Sequence, residues 1–295
     1  MRIEYGQTPS VLLLGNGINR AYGFASWDGL IRSIQTKKLT KEELKCLNKV
    51  PYPLQPIILT EDNVGQQMRE CAVELTDLRA PDEEEELLRA YASLPVDTIL
   101  TTNYTYELEK ALIPDFKCYA LRFCKARKTT VFNTGKDAKR QLHTYYEYGN
   151  ERSVWHIHGE AARPDTTVLG HYYYGKNLSK MQQYIPSLIS RYRASFSRGK
   201  GIECYSWIDY FMTGNVFIVG LGMDLSEFDL WWLVNCKKRH FENTSVVLFK
   251  PDITPEQRLL AEAYGIKIKA GGLVDEDYRG YYRYVLKELQ QILDK

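Results

Sequence analysis

Val11-Leu12-Leu13-Leu14-Gly15-Asn16-Gly17-Ile18 is the stretch on which the fold turns. Four consecutive apolar residues ending at a glycine suit a strand buried on both faces, as in a parallel sheet. The two glycines permit a tight turn and close approach to a bound group. From Ile18 onward, Ala21, Trp27, Leu30, Ile31 and Ile34 recur as a helix would place them. Strand, glycine turn and helix form the opening unit of a doubly wound α/β sheet. Arg20 stands where the third glycine of the common dinucleotide pattern would fall, so a turn with no ligand fits the same residues.

The same alternation continues down the chain. Apolar runs at 96–101, 118–123, 153–158, 215–220, 245–249 and 266–268 read as strands. Helical spacing marks 62–78, 104–112, 178–194, 226–235, 255–264 and 278–293, with a short helix within 37–50. Pro81-Asp82 and four glutamates open a further helix, because proline and acids favour a first turn. Tyr172-Tyr173-Tyr174-Gly175 reads as a loop, and 129–150 as irregular or a small hairpin. Strands apolar on both faces, alternating with helices, predict an α/β doubly wound parallel sheet in a single domain over residues 1–295. The helical stretch at about 37–94 is too long for a simple crossover and is expected to be an inserted, mainly helical module. Further cap segments are expected at about 125–150 and 172–212.

Bulk composition excludes several classes. The 44% hydrophobic and 26% charged fractions are those of a globular domain. A net charge of +2, from 39 basic and 37 acidic residues, calls for no polyanion, so nucleic acid is not indicated. The locally basic segment from Arg122 to Arg140 reads first as a solvated loop, with a phosphate or nucleic-acid contact as the lesser alternative. The six cysteines include no Cys-x-x-Cys pair, which gives a zinc ribbon no support and suits reduced thiols in a cytosol. Residues 1–10 are polar and the apolar run after them is short, so no signal peptide is expected. No segment approaches the ~20 apolar residues of a membrane span. A cytoplasmic protein is therefore expected. The 22 tyrosines hint at clefts or self-association.

Three further motifs carry chemistry. Thr101-Thr102-Asn103-Tyr104 ends the second parallel strand; an asparagine amide there can hold a ribose hydroxyl, orient a water or cap a helix. Trp155-His156-Ile157-His158-Gly159 puts two histidines two apart, on one face of a strand. A His-x-His pair also suits a metal, but His143, His171 and His240 are not clustered with it, so no metal is expected. Gly220-Leu221-Gly222-Met223-Asp224 is a second glycine turn at the carboxyl edge of the sheet, where ligands of such sheets bind; Asp224 could instead cap the next helix.

In order, Leu14-Gly15-Asn16-Gly17-Ile18-Asn19, Thr101-Thr102-Asn103-Tyr104, His158-Gly159 and Gly220-Leu221-Gly222 resemble the sirtuin superfamily, over about residues 11–235. The set looks most like the bacterial sirtuin-like NADases, including effectors of Thoeris and related anti-phage systems. The resemblance implies a Rossmann-like sheet, a smaller helical module and NAD+ as substrate between them. It implies that Gly15, Asn16, Gly17 and Asn19, with Thr101 and Thr102, line the dinucleotide. Asn103 would stand beside the nicotinamide ribose, His158 would be the catalytic histidine, and Gly220, Gly222 and Asp224 would lie near the adenosine half. The chain departs from the superfamily's protein deacylases. It lacks their zinc-binding cysteine quartet, and residues 24–30 read Phe-Ala-Ser-Trp-Asp-Gly-Leu in place of a Pro-Asp-Phe-Arg segment. Thr105 occupies a position where the family often has aspartate.

The expected activity is NAD+ glycohydrolysis, in an oligomeric, NAD-depleting defence effector held in check until an infection signal or partner releases it. A protein deacylase and a non-catalytic NAD+ or ADP-ribose sensor are the competing readings, and a metal hydrolase is the least favoured.

Overall fold

A computed structural model describes residues 2–24, 27–113, 115–116, 142, 145–148 and 152–294. The strand expected at 118–123, most of the cap segment at 125–150 and His143 lie outside the described residues. Among those described are strands β1 (Arg2–Ile3), β2 (Ser10–Leu14), β3 (Thr98–Thr101), β4 (Tyr146–Tyr148), β5 (Arg152–His156), β6 (Ile202–Glu203), β7 (Asn215–Val219), β8 (Val246–Lys250) and β9 (Ile266–Ala270).

Seven of these strands form one sheet in the order β4-β5-β3-β2-β7-β8-β9. All neighbours in it are parallel except β4, which pairs antiparallel with β5 as an edge hairpin. Counted in chain order, the parallel strands run third, second, first, fourth, fifth, sixth across the sheet, the order of a Rossmann-type doubly wound sheet. The order in which the chain adds strands reverses between β2 and β7. The crevice beyond that switch point is the expected ligand position in such a fold.

Period-2 alternation explains why the central strands read as unbroken apolar runs. Val11, Leu13, Leu100, Val216 and Ile218 point into one core, with the helices His171–Ser197, Trp207–Thr213 and Phe228–His240. Leu12, Leu14, Ile99, Phe217 and Val219 point into the other, with the helices Gly17–Ala21, Asp82–Ala92 and Tyr278–Leu293. Each apolar residue of β2 and β7 thus serves one layer or the other.

Between β2 and β3, helices Trp27–Ser33, Lys41–Leu47, Gln55–Thr60 and Val64–Asp77 supply a third apolar cluster through Ile31, Leu47, Leu59 and Met68. Helix Asp82–Ala92 packs on the sheet itself, through Leu87, Leu88 and Tyr91.

Two local expectations are corrected. Tyr172–Tyr174 are not a loop: they form the first turn of the 27-residue helix His171–Ser197, which starts after Gly170 at φ 95°. Apolar contacts through Met181, Ile185 and Leu188 hold this helix against the sheet despite its internal Gly175 and Pro186. Strand β5 ends at His156, so His158 lies in the turn beyond it and the two histidines do not share a strand face. No helix among the described residues is long and apolar enough to cross a membrane.

Candidate active site

The two glycine turns lie against each other because β2 and β7 are paired, Leu14 opposite Val219. Gly15 N–H donates to Val219 O at 2.9 Å, and Gly17 N–H to Gly220 O at 2.8 Å. A Cβ on Gly15 would sit 2.6 Å from Gly220 O, and one on Gly17 would overlap the Tyr282 hydroxyl. Gly220 itself is left-handed, at φ 70°. The glycines are therefore required by backbone contact between the turns. Gly17 N–H is engaged by Gly220, and Arg20 stands in the lining of the cleft beyond the turns.

Beyond these turns opens a cleft of 420 Å³. Of the residues singled out in the sequence, Asn16, Gly17, Thr102, Asn103, His158, Gly220 and Asp224 line it. Gly15, Asn19 and Thr101 instead border a small internal cavity, and Gly222 borders an adjoining groove of 540 Å³ that shares Tyr52, Asp224 and Ser226 with the cleft. Neither helix-cap alternative holds. Glu227 is the N-cap of the helix after Asp224, and Tyr106 that of the helix after Asn103.

The Asn103 turn is braced from below. Its N–H donates to Thr101 Oγ1 at 3.1 Å, and Thr102 N–H to Leu14 O at 3.2 Å. His156 Nδ1 lies 2.6 Å from Asn103 O, and its Nε2 lies 2.7 Å from Glu109 Oε1. His156 is thus a support for the turn, outside the cleft lining. Asn103 Oδ1 is buried with no partner among the described residues.

His158 is buried at the cleft wall. Its Nε2 is 3.1 Å from Asp229 Oδ2, and its ring packs edge-on to Tyr174 at 5.6 Å between centroids. Asp229 also accepts from Asn177 Nδ2 at 2.7 Å and Leu230 N at 2.9 Å. Burial works against a charged imidazole, but the charge and hydrogen bond of Asp229, with the Glu227 carboxylate nearby, together outweigh it and raise the His158 pKa above its usual value. Burial would likewise raise Asp229, yet His158 and the amide donors hold it below the usual range. Val168 N–H donates to His158 O at 2.7 Å, and Gly159 follows at φ 85°, where a Cβ would overlap Thr166 O. The glycine of the His-Gly pair therefore fixes the turn that presents the imidazole.

Several residues of the site carried no signal in the sequence. Asp229 is 71 positions from His158. Glu227, which accepts from the Tyr174 hydroxyl at 3.2 Å, is pushed up by burial. Tyr174 and Glu107 also line the cleft, beside Tyr104 of the Asn103 motif. Ligand atoms of His158, Glu227 and Asp229 lie within 4.8 Å of one another, a spacing that could hold a metal ion. The donors already converging on Asp229 suit it to holding an imidazolium.

The family described as SIR2-like domain matches residues 97–269, more than half of the 295-residue chain. The match includes Asn103, His158, Gly220 and Asp229 and begins after the first glycine turn and the inserted helices. No curated protein matches the chain.

Proposed function

The chain belongs to the SIR2-like domain family, and from that premise we propose that it is an NAD+ glycohydrolase, cleaving NAD+ to nicotinamide and ADP-ribose. One observation carries this reading: His158, backed by the buried Asp229, and Asn103, whose amide oxygen has no partner among the described residues, line one cleft at the sheet's switch point. The cleft and its adjoining groove give room for a dinucleotide at the carboxyl edge of the sheet.

Arg20 on the cleft wall faces the diphosphate. Cleavage breaks the bond between the ribose anomeric carbon and the pyridinium nitrogen. The electron pair leaves with nicotinamide, which departs neutral, and the ribose passes through an oxocarbenium-like state. Asp224 and Glu227 on the wall favour that positive charge. Asn103 orients the ribose or the incoming water. Water oxygen bonds to the anomeric carbon, and His158 takes a proton from the water or from a ribose hydroxyl. Asp229 holds the imidazole in place and stabilises its charged form.

By resemblance, we assign the activity to NAD depletion in anti-phage defence, with low basal turnover until a partner, an infection signal or self-assembly releases it. Incubation with NAD+ and chromatography of the products tests the reaction. ADP-ribose and nicotinamide in equal amounts support hydrolysis. An acyl-ADP-ribose formed when an acetyl-lysine peptide is present would identify a deacylase. Binding of NAD+ with no nicotinamide released under any condition would identify a sensor.

A further inference from the structure

His158, Glu227 and Asp229 each bring one ligand atom to within 4.8 Å of the other two. The sequence around His158 offers no third histidine, but the fold supplies two carboxylates in its place. Glu227 is the N-cap of helix Phe228–His240, and Asp229 lies in its first turn. Neighbouring ligands stand about 3.3–3.4 Å apart around a tetrahedral ion with bonds of about 2.0–2.1 Å. His158 Nε2 and Asp229 Oδ2, at 3.1 Å, are already near that spacing, and Glu227 closes on them by side-chain rotation. The outer partners are in place as well. The Tyr174 hydroxyl donates to Glu227 Oε2 at 3.2 Å, Asn177 Nδ2 to Asp229 Oδ2 at 2.7 Å and Leu230 N–H to Asp229 Oδ1 at 2.9 Å. Donors of this kind orient ligating carboxylates. His158 and Glu227 line the cleft, which gives an ion its entry and leaves a fourth position facing the open space.

We propose that His158, Glu227 and Asp229 form an inhibitory site for a divalent transition-metal ion of the zinc class. An imidazole beside carboxylates suits zinc, whereas magnesium prefers oxygen ligands in near-octahedral order. The ion takes the place of the proton between His158 Nε2 and Asp229 Oδ2. With Nε2 on the metal, Nδ1 carries the ring proton, and no basic nitrogen remains to accept another. Both carboxylates are occupied by the ion, and its charge opposes the cationic state of the ribose. A bound metal therefore stops the reaction. The inhibition rests on the cleft being the NAD+ site; the metal binding does not.

Calorimetric titration of the whole chain, first stripped with a chelator, with zinc and with magnesium chloride tests the site directly. NAD+ turnover is measured alongside. The expected result is zinc binding at least about 10²-fold tighter than magnesium, and a fall in turnover of at least about 10²-fold at saturating zinc. A chelator restores the rate. His158→Ala, checked for folding by circular dichroism, removes this binding and leaves only zinc held elsewhere, as on cysteines. Glu227→Gln and Asn177→Ala, checked in the same way, each weaken it at least about tenfold. Equal zinc binding by wild type and folded His158→Ala, or an enzyme that is silent when stripped and active with zinc, overturns the proposal. If zinc binds as expected but the stripped protein leaves NAD+ intact, the glycohydrolase reading falls and the metal site stands. If zinc leaves NAD+ turnover unchanged, the inhibitory site falls and the glycohydrolase stands.

Discussion

Asp229→Asn tests how the site works, because it keeps the shape of the side chain and removes its charge. In the wild type, His158 Nε2 and Asp229 Oδ2 are 3.1 Å apart, and both residues are almost wholly buried, at 4% and 1% exposure. Breaking a buried ion pair at one partner costs about 3–5 kcal/mol. If that loss falls on the transition state, it corresponds to a fall in kcat of about 10²–10⁴-fold. The pH profile should move as well. His158 carries a raised pKa, so the neutral base form appears only as pH rises through that value, and the wild-type rate should climb above pH ~6.5. Without the Asp229 charge only Glu227 opposes burial, so the pKa falls and the rising limb shifts to lower pH while the plateau falls. Stability follows the same sign. The charged His158 contributes fully below its unfolded pKa, and that contribution is lost as pH rises through the folded value. Nicotinamide release from pH 5 to 9, for both proteins, gives rate and limb together. An Asp229→Asn enzyme with wild-type rate and an unmoved limb refutes the role given to the pair.

Three further outcomes concern the scaffold. Gly15→Ala places a Cβ 2.6 Å from Gly220 O and should lower stability by about 1–3 kcal/mol in chemical denaturation; an unchanged midpoint contradicts the required turn contact. Lys237 donates to Phe211 O, Met212 O and Gly214 O at 2.8, 3.0 and 2.6 Å, tying off the end of helix Trp207–Thr213. Lys237→Met orphans these carbonyls and should cost at least about 1–3 kcal/mol. Glu84 is wholly buried with neither carboxyl oxygen partnered among the described residues, and burial, with Glu107 adding to it, pushes its pKa up to about 8. The folded protein therefore holds a proton that the unfolded chain releases near pH ~4.5, and stability falls as pH rises between the two values. Glu84→Gln should raise Tm at pH 8 and change it little at pH 5; equal shifts at both contradict the assignment.

The sheet was legible because β2 and β7 bury alternate residues in two cores, which leaves no polar position to blur the run. Strand β9 extends past the expected 266–268 to Ala270, because Lys267 and Lys269 sit on an exposed edge and do not look apolar. The tyrosine run at 172–174 misled because Gly175 resembles turn chemistry, while the true boundary is Gly170, whose positive φ begins the helix. Asn103 and His158 could be found because each ends a strand in a short polar turn. Asp229 could not: an acid in the first turn of a helix ordinarily answers the helix dipole. Only packing of the helices His171–Ser197 and Phe228–His240 brings Asn177, Asp229 and His158 together.

The central claim is that His158 drives the loss of nicotinamide from NAD+ in this cleft. Nicotinamide formed per mole of NAD+ consumed, wild type beside a folded His158→Ala protein, tests it most directly. One nicotinamide per NAD+ in the wild type, with turnover reduced at least about 10²-fold in the variant, is the predicted result. Equal turnover by the two proteins would contradict it.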